Sequence, residues 1–390
     1  LAEGYQPNLS GYDNRPANGL MTRTTYPMSA TTLASFDKAL FRDFPKKNAV
    51  VKGKTVTNDI IGSAIESSVG SVDPATYDSL HNNGHMVIAL IPDPLSGGQQ
   101  QGGVMQSPDV AIRDPIFYRW HRHVDDLSFQ WQEKQDVQAF TDAPKVTIRD
   151  SDIIVCPSDK VVGDAQAFGD AQFGGAKFDQ PTGAPAVDTL ETTMRKRMVA
   201  GFQVPYLDHQ DFTYFIRIKN DDATAKQVTL RVFLVPKVWA EERRQWIELD
   251  KFLVKLAAGQ KLVVPRSSKL SSVVRKPARR PGDPVPSPDP GADPNYCDCG
   301  WPYHLLLPSG TAAGLDCLLM VIATEWNIDK VDVDGKCGSM SFCGKQNAPY
   351  PDKRPMGYPF DRRWNGGIVA TIGAPANTSM AVRPVKVKQV

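Results

Sequence analysis

The sequence predicts an α+β protein in which a mostly helical first part is followed by an antiparallel β-sandwich. Apolar residues follow the 3.6-residue period of helices over about the first third of the chain, and the two-residue period of strands from about residue 145 onward. A length of 390 residues is enough for two or more domains with separate cores. We therefore expect a multidomain protein of this class.

The overall composition is that of an ordinary globular protein. Apolar residues make up 41% of the chain and aromatic residues 9%, and no run approaches the roughly 20 apolar residues that a membrane span needs. The 45 basic and 43 acidic residues leave a net charge of +2, with no basic stripe interleaved with aromatic residues. We expect a soluble protein with neither membrane nor nucleic acid as a partner.

The helical part begins after residues 1–30, which are rich in Gly, Pro and Asn and carry no sustained period. Apolar spacing and cap residues predict four helices, which cover approximately residues 33–41, 60–65, 73–90 and 114–135. A glycine- and proline-rich loop over residues 91–103 separates the last two helices. This loop is long enough to turn the chain round.

The β part is predicted from period-two segments rich in β-branched and aromatic residues. The predicted strands cover residues 145–149, 212–218, 227–235, 253–256, 261–264 and 318–323. Several short strands at this spacing favour an antiparallel sandwich. The segment 276–296 is rich in Pro, Gly, Arg and Asp, which predicts an exposed loop that does not pack in a core and is open to proteolysis.

The cysteines fall into two groups. Four of the six stand close together, at Cys297, Cys299, Cys337 and Cys343. Their spacing favours two disulfides over a zinc site. A zinc knuckle prefers two to four residues between its paired cysteines, whereas one residue separates Cys297 from Cys299 and five separate Cys337 from Cys343. Cys156 and Cys317 lie in apolar runs and are predicted to be buried thiols. Disulfides favour an extracellular or oxidising setting.

Three histidines have a spacing that suits one metal ion. His81 and His85 are four residues apart and project from one face of a helix, and His121 follows on the next predicted helix. Imidazole suits copper, zinc, iron and nickel alike. Copper is favoured by elimination, because no carboxylate completes a two-histidine facial triad and no His-Glu-x-x-His string is present. Spacing alone leaves open that these are ordinary polar histidines, and His123 competes with His121 as third ligand from another helix face.

Longer motifs resemble the arthropod hemocyanin and prophenoloxidase superfamily. They are Ser-Leu-His-Asn-Asn-Gly-His at 79–85, Arg-Asp-Pro-Ile-Phe-Tyr-Arg-Trp-His at 113–121 and Cys-Asp-Cys-Gly-Trp-Pro-Tyr-His-Leu-Leu-Leu-Pro at 297–308, with shorter matches at 265–273, 341–344 and 356–362. The motifs stand in the family's order and span residues 1 to about 363.

The resemblance implies a type 3 dicopper centre, in which two copper ions bind dioxygen. His81, His85 and His121 would be the ligands of the copper called CuB. Residues 1–140 would form the CuB half of the central helical domain, and residues 141–390 an immunoglobulin-like β-domain. The remaining histidines, His123, His209 and His304, lack the spacing of a second ligand set, and the last two fall in strand-like segments.

The CuA ligands are therefore expected on another polypeptide. The chain resembles either the C-terminal product of a cleaved precursor, still bound to its CuA-bearing N-terminal part, or a fragment that holds at most one copper. We favour the bound product, because a helical domain divided through its middle would expose a large apolar face. The resemblance further implies a homo-oligomer of this complex in the hemolymph.

The resemblance favours an enzyme over an oxygen carrier. Phe-Tyr-Arg-Trp-His before the third ligand and the Cys-x-Cys-Gly-Trp-Pro segment resemble phenoloxidases, which use dioxygen to oxidise monophenols and o-diphenols to quinones. Asn82 is expected to orient a water, and Asp109 to take the phenolic proton. Asp109 also fits a plain helix cap after Pro108. The alternative function is a hemocyanin-like oxygen carrier or a storage protein.

Overall fold

The computed structural model divides the chain into two compact units, Leu1–Val137 and Gln138–Val390. The residues that the structure describes are 30–66, 70–89, 103–106, 110–173, 188–199, 201–275, 277–284, 300–330, 352–355 and 357–390. Each unit has hydrophobic clusters made only of its own residues. The units are described separately below.

The first unit is helical, with one small hairpin. Its elements are α1 (Ala30–Asp43), β1 (Val50–Val51), β2 (Lys54–Thr55), α2 (Asn58–Ile65), α3 (Pro74–Tyr77), α4 (Leu80–Ala89) and α5 (Pro115–Lys134). Short 3-10 turns at Val104–Gln106 and Ala111–Arg113 precede α5. The start of α5 is set by Asp114, whose carboxylate accepts a hydrogen bond from the Ile116 amide at 3.0 Å, and by Pro115 in the first turn.

The core of the first unit is formed where these helices pack together. Its fully buried members include Leu40 of α1, Ile61 of α2, Leu80 of α4 and Leu127 of α5. Each lies on the apolar face that the 3.6-residue spacing of its helix predicts. The packing holds α4 and α5 against the same core, which fixes the helices that carry the three histidines.

The predicted third helix is divided in two. Asp78 has a φ of 46°, outside the right-handed helical region, and it separates α3 from α4. Neither glycine nor proline marks this position, so the break was not visible in the sequence. The break starts a new helix at Leu80, and His81 and His85 both lie on it.

The second unit is a β-domain of two sheets with short helices. Its strands are β3 (Val146–Thr147), β4 (Ile153–Pro157), β5 (Asp188–Val199), β6 (Phe202–His209), β7 (Phe212–Asn220), β8 (Lys226–Pro236), β9 (Ile247–Leu256), β10 (Lys261–Ser267), β11 (Leu315–Glu325) and β12 (Met380–Gln389). Its helices are α6 (Ala165–Gln172), α7 (Trp326–Asp329) and α8 (Ile368–Ile372). The larger sheet has the order β6-β5-β12-β11-β8-β9, and in the smaller one β7 pairs with β10, β3 and β4.

The main core lies between the two sheets and joins residues of both. Tyr214 and Ile216 of β7 belong to the same buried cluster as Leu230 and Val232 of β8. The alternate residues of β8, such as Phe233, belong to a second cluster with Phe360 of the segment before α8. Because the second half of β8 is buried on both faces, residues 232–235 form a continuous apolar run, whereas Thr229 and Arg231 alternate with apolar residues in its first half.

The structure confirms the predicted fold class, a helical part followed by a β-rich domain, and adds strands that the pattern did not predict. These are β4, β5, β6 and β12, and β9 begins earlier than predicted. The outer half of β5 is charged and exposed, so it lacks the alternation that marks a half-buried strand. The sandwich is also not wholly antiparallel, because β12 pairs in parallel with β5.

Part of the predicted exposed loop packs on the β-domain. Within residues 276–296, the structure describes 277–284. Ala278 packs against the main core, and the Arg280 guanidinium donates hydrogen bonds to both oxygens of Asp208, at 2.9 and 3.0 Å. The expectation that this segment does not pack is therefore wrong for these residues, because the guanidinium–carboxylate pair holds the turn in place.

The cysteine predictions are tested only in part. Cys317 is buried, at 1% exposure, whereas Cys156 is half-buried, so the prediction of a buried thiol is wrong there because the strand β4 leaves that side chain at the domain surface. The four clustered cysteines, Cys297, Cys299, Cys337 and Cys343, lie outside the described residues. Among the described residues, no helix combines the length and the apolar character that crossing a membrane requires.

Candidate metal centre

The helices α4 and α5 bring three imidazole rings together. His81 and His85 lie one turn apart on α4, and His121 lies on α5. The Nε2 atom of His121 is 2.9 Å from Nε2 of His81 and 3.4 Å from Nε2 of His85. One potential ligand atom from each of the three residues lies within 4.8 Å of the other two. All three side chains are half-buried.

Backbone carbonyl oxygens orient two of these rings by contacting Nδ1, the ring nitrogen on the side away from the cluster. Nδ1 of His85 lies 2.9 Å from the Met105 carbonyl oxygen, and Nδ1 of His121 lies 2.7 Å from that of Phe117. A ring nitrogen that faces a carbonyl must carry the proton and donate it. In the neutral ring, Nε2 then keeps its lone pair, as a metal ligand requires.

The third ring lies beside a carboxylate. Nδ1 of His81 is 2.7 Å from Oε1 of Glu66, the residue that ends α2. The two atoms are close but not in line for a hydrogen bond, so Nδ1 has no hydrogen-bond partner. The carboxylate of Glu66 places negative charge beside this ring, which strengthens the attraction of its Nε2 for a cation.

The arrangement fits a bound cation. The three Nε2 atoms face one another at 2.9 and 3.4 Å, so either a shared ring proton or a cation must lie between them. A metal ion about 2.0 Å from each nitrogen, as in protein zinc sites, would space the nitrogens by roughly 3.3 Å. Burial, together with the neighbouring His81 and His85, lowers the pKa of His121 against the opposing effect of the Phe117 carbonyl, which favours the neutral ring.

A glycine lets the two helices approach. A Cβ atom at Gly84 would lie 2.0 Å from the Trp120 ring, far inside van der Waals contact. Trp120 in turn donates from its indole nitrogen to the carbonyl oxygen of His81 at 3.2 Å, which ties α5 to α4 beside the first histidine. Sequence reasoning missed Gly84, although a glycine between two histidines inside a helix is a signal of close packing.

An aromatic side chain of α5, Phe117, packs against the cluster. The Phe117 ring lies 3.8 Å from the ring of His121 and 5.8 Å from that of His85, measured between centroids. Tyr118 is 58% exposed and contacts the edge of Phe117. Phe117 therefore shields the histidines, whereas Tyr118 faces solvent.

The other predicted site residues lie elsewhere. His123 points to a different face of α5, where its Nε2 lies 2.6 Å from Oδ1 of Asp37 of α1, so it does not join the cluster. Asn82 is exposed, and its side-chain amide donates to the Ser79 hydroxyl at 3.0 Å. Asp109 lies outside the described residues.

The histidines of the second unit have local partners. His209 ends β6, and its ring nitrogens lie 3.0 and 2.8 Å from the carbonyl oxygens of Gln210 and Tyr303. His304 lies in a 3-10 turn, so its prediction in a strand-like segment is wrong. The reason is that Pro302 precedes this turn and its ring fixes the backbone there.

Family profiles match both units. A profile described as the copper-containing domain of hemocyanin matches residues 2–128, and one described as the hemocyanin Ig-like domain matches residues 185–389. The chain belongs to the hemocyanin and prophenoloxidase superfamily. The three-histidine cluster and the family's copper-containing domain together fit type 3 copper binding.

Relatives in this superfamily carry two kinds of name. The chain is 33% identical over 347 residues to phenoloxidase subunit 1 of Manduca sexta, covering 85% of the chain and 48% of that protein. It is also 33% identical over 357 residues to the hemocyanin F chain of Aphonopelma sp., covering 85% of the chain and 51% of that protein. The chain thus spans about half the length of these relatives, and identity does not separate the two activities.

Solved structures show the same fold. A scorpion hemocyanin in its activated state superposes with a TM-score of 0.71 at 26% identity, over 93% of this chain and 58% of that one. A hemolymph-type prophenoloxidase from a crustacean superposes with a TM-score of 0.68 at 22% identity, over 93% of this chain and 54% of that one. The β-domain therefore has the immunoglobulin-like fold of the family.

Proposed function

We propose that the chain supplies the CuB half of a type 3 dicopper phenoloxidase, with His81, His85 and His121 as the copper ligands. The observation that carries the proposal is the convergence of three Nε2 atoms from α4 and α5, in a domain of the copper-containing family. The Arg-Asp-Pro-Ile-Phe-Tyr-Arg-Trp-His sequence that leads to the third histidine favours the phenoloxidase branch.

The chain's own residues would prepare the site for oxidation of a phenol. Copper, when bound, supplies the redox chemistry that reduces dioxygen and oxidises the phenol to a quinone. The carbonyl oxygens of Met105 and Phe117 hold two imidazoles with Nε2 toward the metal, and Glu66 supports the third. Trp120 and Phe117 limit the access of water from the α5 side.

A proton must leave the phenol before its ring is oxidised. Asn82, next to the first ligand, is our candidate for orienting a water that receives this proton, and its exposed side chain is open to solvent. Asp109, in the segment that leads to α5, is our candidate for the base. In this proposal both residues act beside the metal without binding it.

We infer that a CuA-bearing chain of the same precursor would hold the second copper. The inference is supported by the other three histidines, His123, His209 and His304, which contact residues away from the cluster. Several relatives are named as subunits or chains, which supports an oligomeric complex. The proposed setting is extracellular, in the hemolymph.

Native material tests this proposal. The copper content per chain, the polypeptides that co-purify and the oxidation of tyramine and dopamine would be measured together. Quinone formation by material that contains a second, histidine-bearing polypeptide is expected. The enzyme proposal fails if copper-loaded material binds dioxygen reversibly and oxidises neither phenol.

An oxygen carrier is the second candidate. The observation that favours it is the 33% identity to a hemocyanin chain, equal to the identity to a phenoloxidase subunit. A carrier requires the same copper ligands but no route for a phenol to the metal. Oxygen binding without turnover, in the same measurements, distinguishes it from the enzyme.

A further inference from the structure

A basic cleft lies within the β-domain. It has a volume of about 250 Å³, and its lining includes four arginines, namely Arg197, Arg275, Arg279 and Arg280. His304 and Tyr303 also line it, and Asp283 is the single acidic residue among the described lining residues. Its walls come from β5, the turn at residues 277–284 and the 3-10 turn Tyr303–Leu305.

One wall is a close pairing of two backbone segments. The Arg275 amide donates to the Trp301 carbonyl at 2.9 Å, and its Nε donates to the Gly300 carbonyl at 3.2 Å. Gly300 has a φ of 110°, and a Cβ there would lie 2.5 Å from the Val273 carbonyl oxygen. Only glycine allows this approach, so the wall is fixed by local sequence.

A second wall is held by Arg280, whose charge is already neutralised. Its guanidinium pairs with Asp208 at 2.9 Å and with Asp211 at 2.5 Å, and it lies over the Tyr303 ring at 5.0 Å. Asp208 also pairs with Arg195, and Asp211 with Lys269. The carboxylates near the cleft are therefore occupied by cations that hold the turn.

The other two arginines, Arg197 and Arg279, have no carboxylate partner among the described residues. Within the described part of the chain, neither guanidinium makes an ion pair or a hydrogen bond. The carboxylate of Asp283 accepts a hydrogen bond from the Arg280 backbone amide at 2.7 Å, and its side chain is exposed. Among the described residues, Arg197 and Arg279 thus give the cleft positive charge that no carboxylate pairs with.

His304 adds a polar atom that lacks a partner. Its ring packs edge-on against Tyr206 of β6 with centroids 5.6 Å apart, and its buried Nδ1 has no hydrogen-bond partner. Burial lowers the pKa of His304, aided by His209 and Arg280 and opposed by Asp208, so the ring is neutral at pH 7. A neutral imidazole adds no charge to the cleft, so the positive charge there comes from the arginines.

We propose that this cleft binds the oxyanion of a phosphate or sulfate monoester. Guanidinium groups present paired donors that match the oxygens of these anions, and two of them here have no competing carboxylate. The volume is below the ~300–1,000 Å³ of sites for drug-sized ligands, so it suits one oxyanion group and a short stem. The proposal does not rest on the copper chemistry.

Calorimetric titration of the full-length chain tests the site. Methyl phosphate and methyl sulfate would be added at constant ionic strength, with sodium chloride as the reference salt. Saturable binding of at least one ester is expected, and the tighter of the two identifies the kind of monoester that the cleft takes. Loss of one charge-assisted contact in Arg197→Gln or Arg279→Gln should weaken binding about tenfold.

A matched control removes one positive charge elsewhere. Lys255 is exposed on β9 and does not line the cleft, so Lys255→Gln should bind the ester as the unchanged chain does. Binding of neither ester above the chloride reference overturns the proposal. Equal affinity in the unchanged chain and the Arg197→Gln/Arg279→Gln double variant also overturns it, because the charge would then be acting at some other place.

Discussion

At the scale of single residues, one carbonyl oxygen decides which nitrogen of His121 is available to a metal. The Phe117 carbonyl lies one turn earlier in α5 and accepts a hydrogen bond from Nδ1 of His121. Nε2 therefore faces the other two imidazoles. The Met105 carbonyl oxygen orients the ring of His85 in the same way. The ligand atoms are therefore set by the backbone before any metal binds.

Replacing a member of the cluster should remove copper. In His85→Ala the remaining two nitrogens cannot hold the ion as three do, so we expect loss of bound copper and of any phenol oxidation. His123→Ala is the control, because His123 pairs with Asp37 outside the cluster. Copper would be measured by mass spectrometry of the metal, and circular dichroism would show that the β-domain stays folded. Unchanged copper in His85→Ala would refute the ligand assignment.

A buried carboxyl group of the β-domain makes stability depend on pH. Asp361 is 3% exposed, and burial raises its pKa to about 6, partly opposed by Arg362. Since the folded pKa lies above the unfolded value of about 3.9, its stabilising effect is complete below pH 4 and is lost as the pH rises through 6.

The substitution Asp361→Asn should therefore flatten this dependence. We expect the variant to gain roughly 1–3 kcal/mol at pH 7 relative to the unchanged protein, and to gain little at pH 4. Urea unfolding of both proteins at pH 4, 5, 6 and 7 measures the difference. Asp316→Asn is the control, because Asp316 is 68% exposed and pairs with Lys386 at the surface. A difference that does not grow with pH would contradict the expectation.

At the scale of elements, sequence patterns predicted those helices and strands whose ends and buried faces are set by residues close together in the sequence. The helix expected over residues 114–135 is observed at Pro115–Lys134, because a cap and a proline mark its start. The strands β5 and β6 were missed, because the exposed Met198 and Phe202 at their connection carry no burial signal. The two strands pair with each other as a hairpin, with Val199 opposite Phe202, but their exposed halves leave no period-two pattern of burial in the sequence.

For the metal site, the sequence predicted the three histidines but not the residues that support them. The histidines His81, His85 and His121 come together as their helical spacing and the intervening loop indicated. Their supporting contacts with Glu66 and Met105 could not be foreseen, because these depend on how a helix end and a 3-10 turn pack on α4. Asp109 stays a prediction of the sequence alone.

The contact between α4 and α5 should tolerate no side chain at Gly84. In Gly84→Ala the new Cβ would meet Trp120 at 2.0 Å, which forces the helices apart and moves His121 from the other two histidines. We expect about 1–3 kcal/mol of destabilisation and weaker copper binding. Gly62→Ala is the matched control in α2, where nothing lies within 4 Å of the new atom. It should stabilise its helix by roughly 0.5–1 kcal/mol. Similar behaviour of the two variants in thermal unfolding and copper titration would speak against the close approach.

At the scale of the whole molecule, each unit closes its own core. The first unit packs Leu40, Leu80 and Leu127 within its helices, and the second packs Ile216 and Val232 between its sheets. No hydrophobic cluster of the described residues includes members of both units. The β-domain therefore has the elements of an independent folding unit.

Residues 138–390 should fold when produced alone. We expect cooperative urea unfolding and a near-ultraviolet circular dichroism signal from the packed aromatic residues Trp246, Phe360 and Trp364, which stack at centroid distances of 5.0 and 5.6 Å. The full chain with His85→Ala provides the reference spectrum for an intact β-domain. A fragment that unfolds without cooperativity would show that its core needs the first unit.

The position of β12 has a consequence for biosynthesis. This strand, at Met380–Gln389, lies inside the larger sheet between β5 and β11, about 190 residues after the strand that it joins in parallel. A ribosome releases β5 and β11 first, and their facing edges stay open until the last of the three emerges. The edge of β5 thus stays open while about 180 residues are made, and both edges are open over the roughly 55 residues between β11 and β12. We expect holding chaperones to bind the nascent chain at that stage.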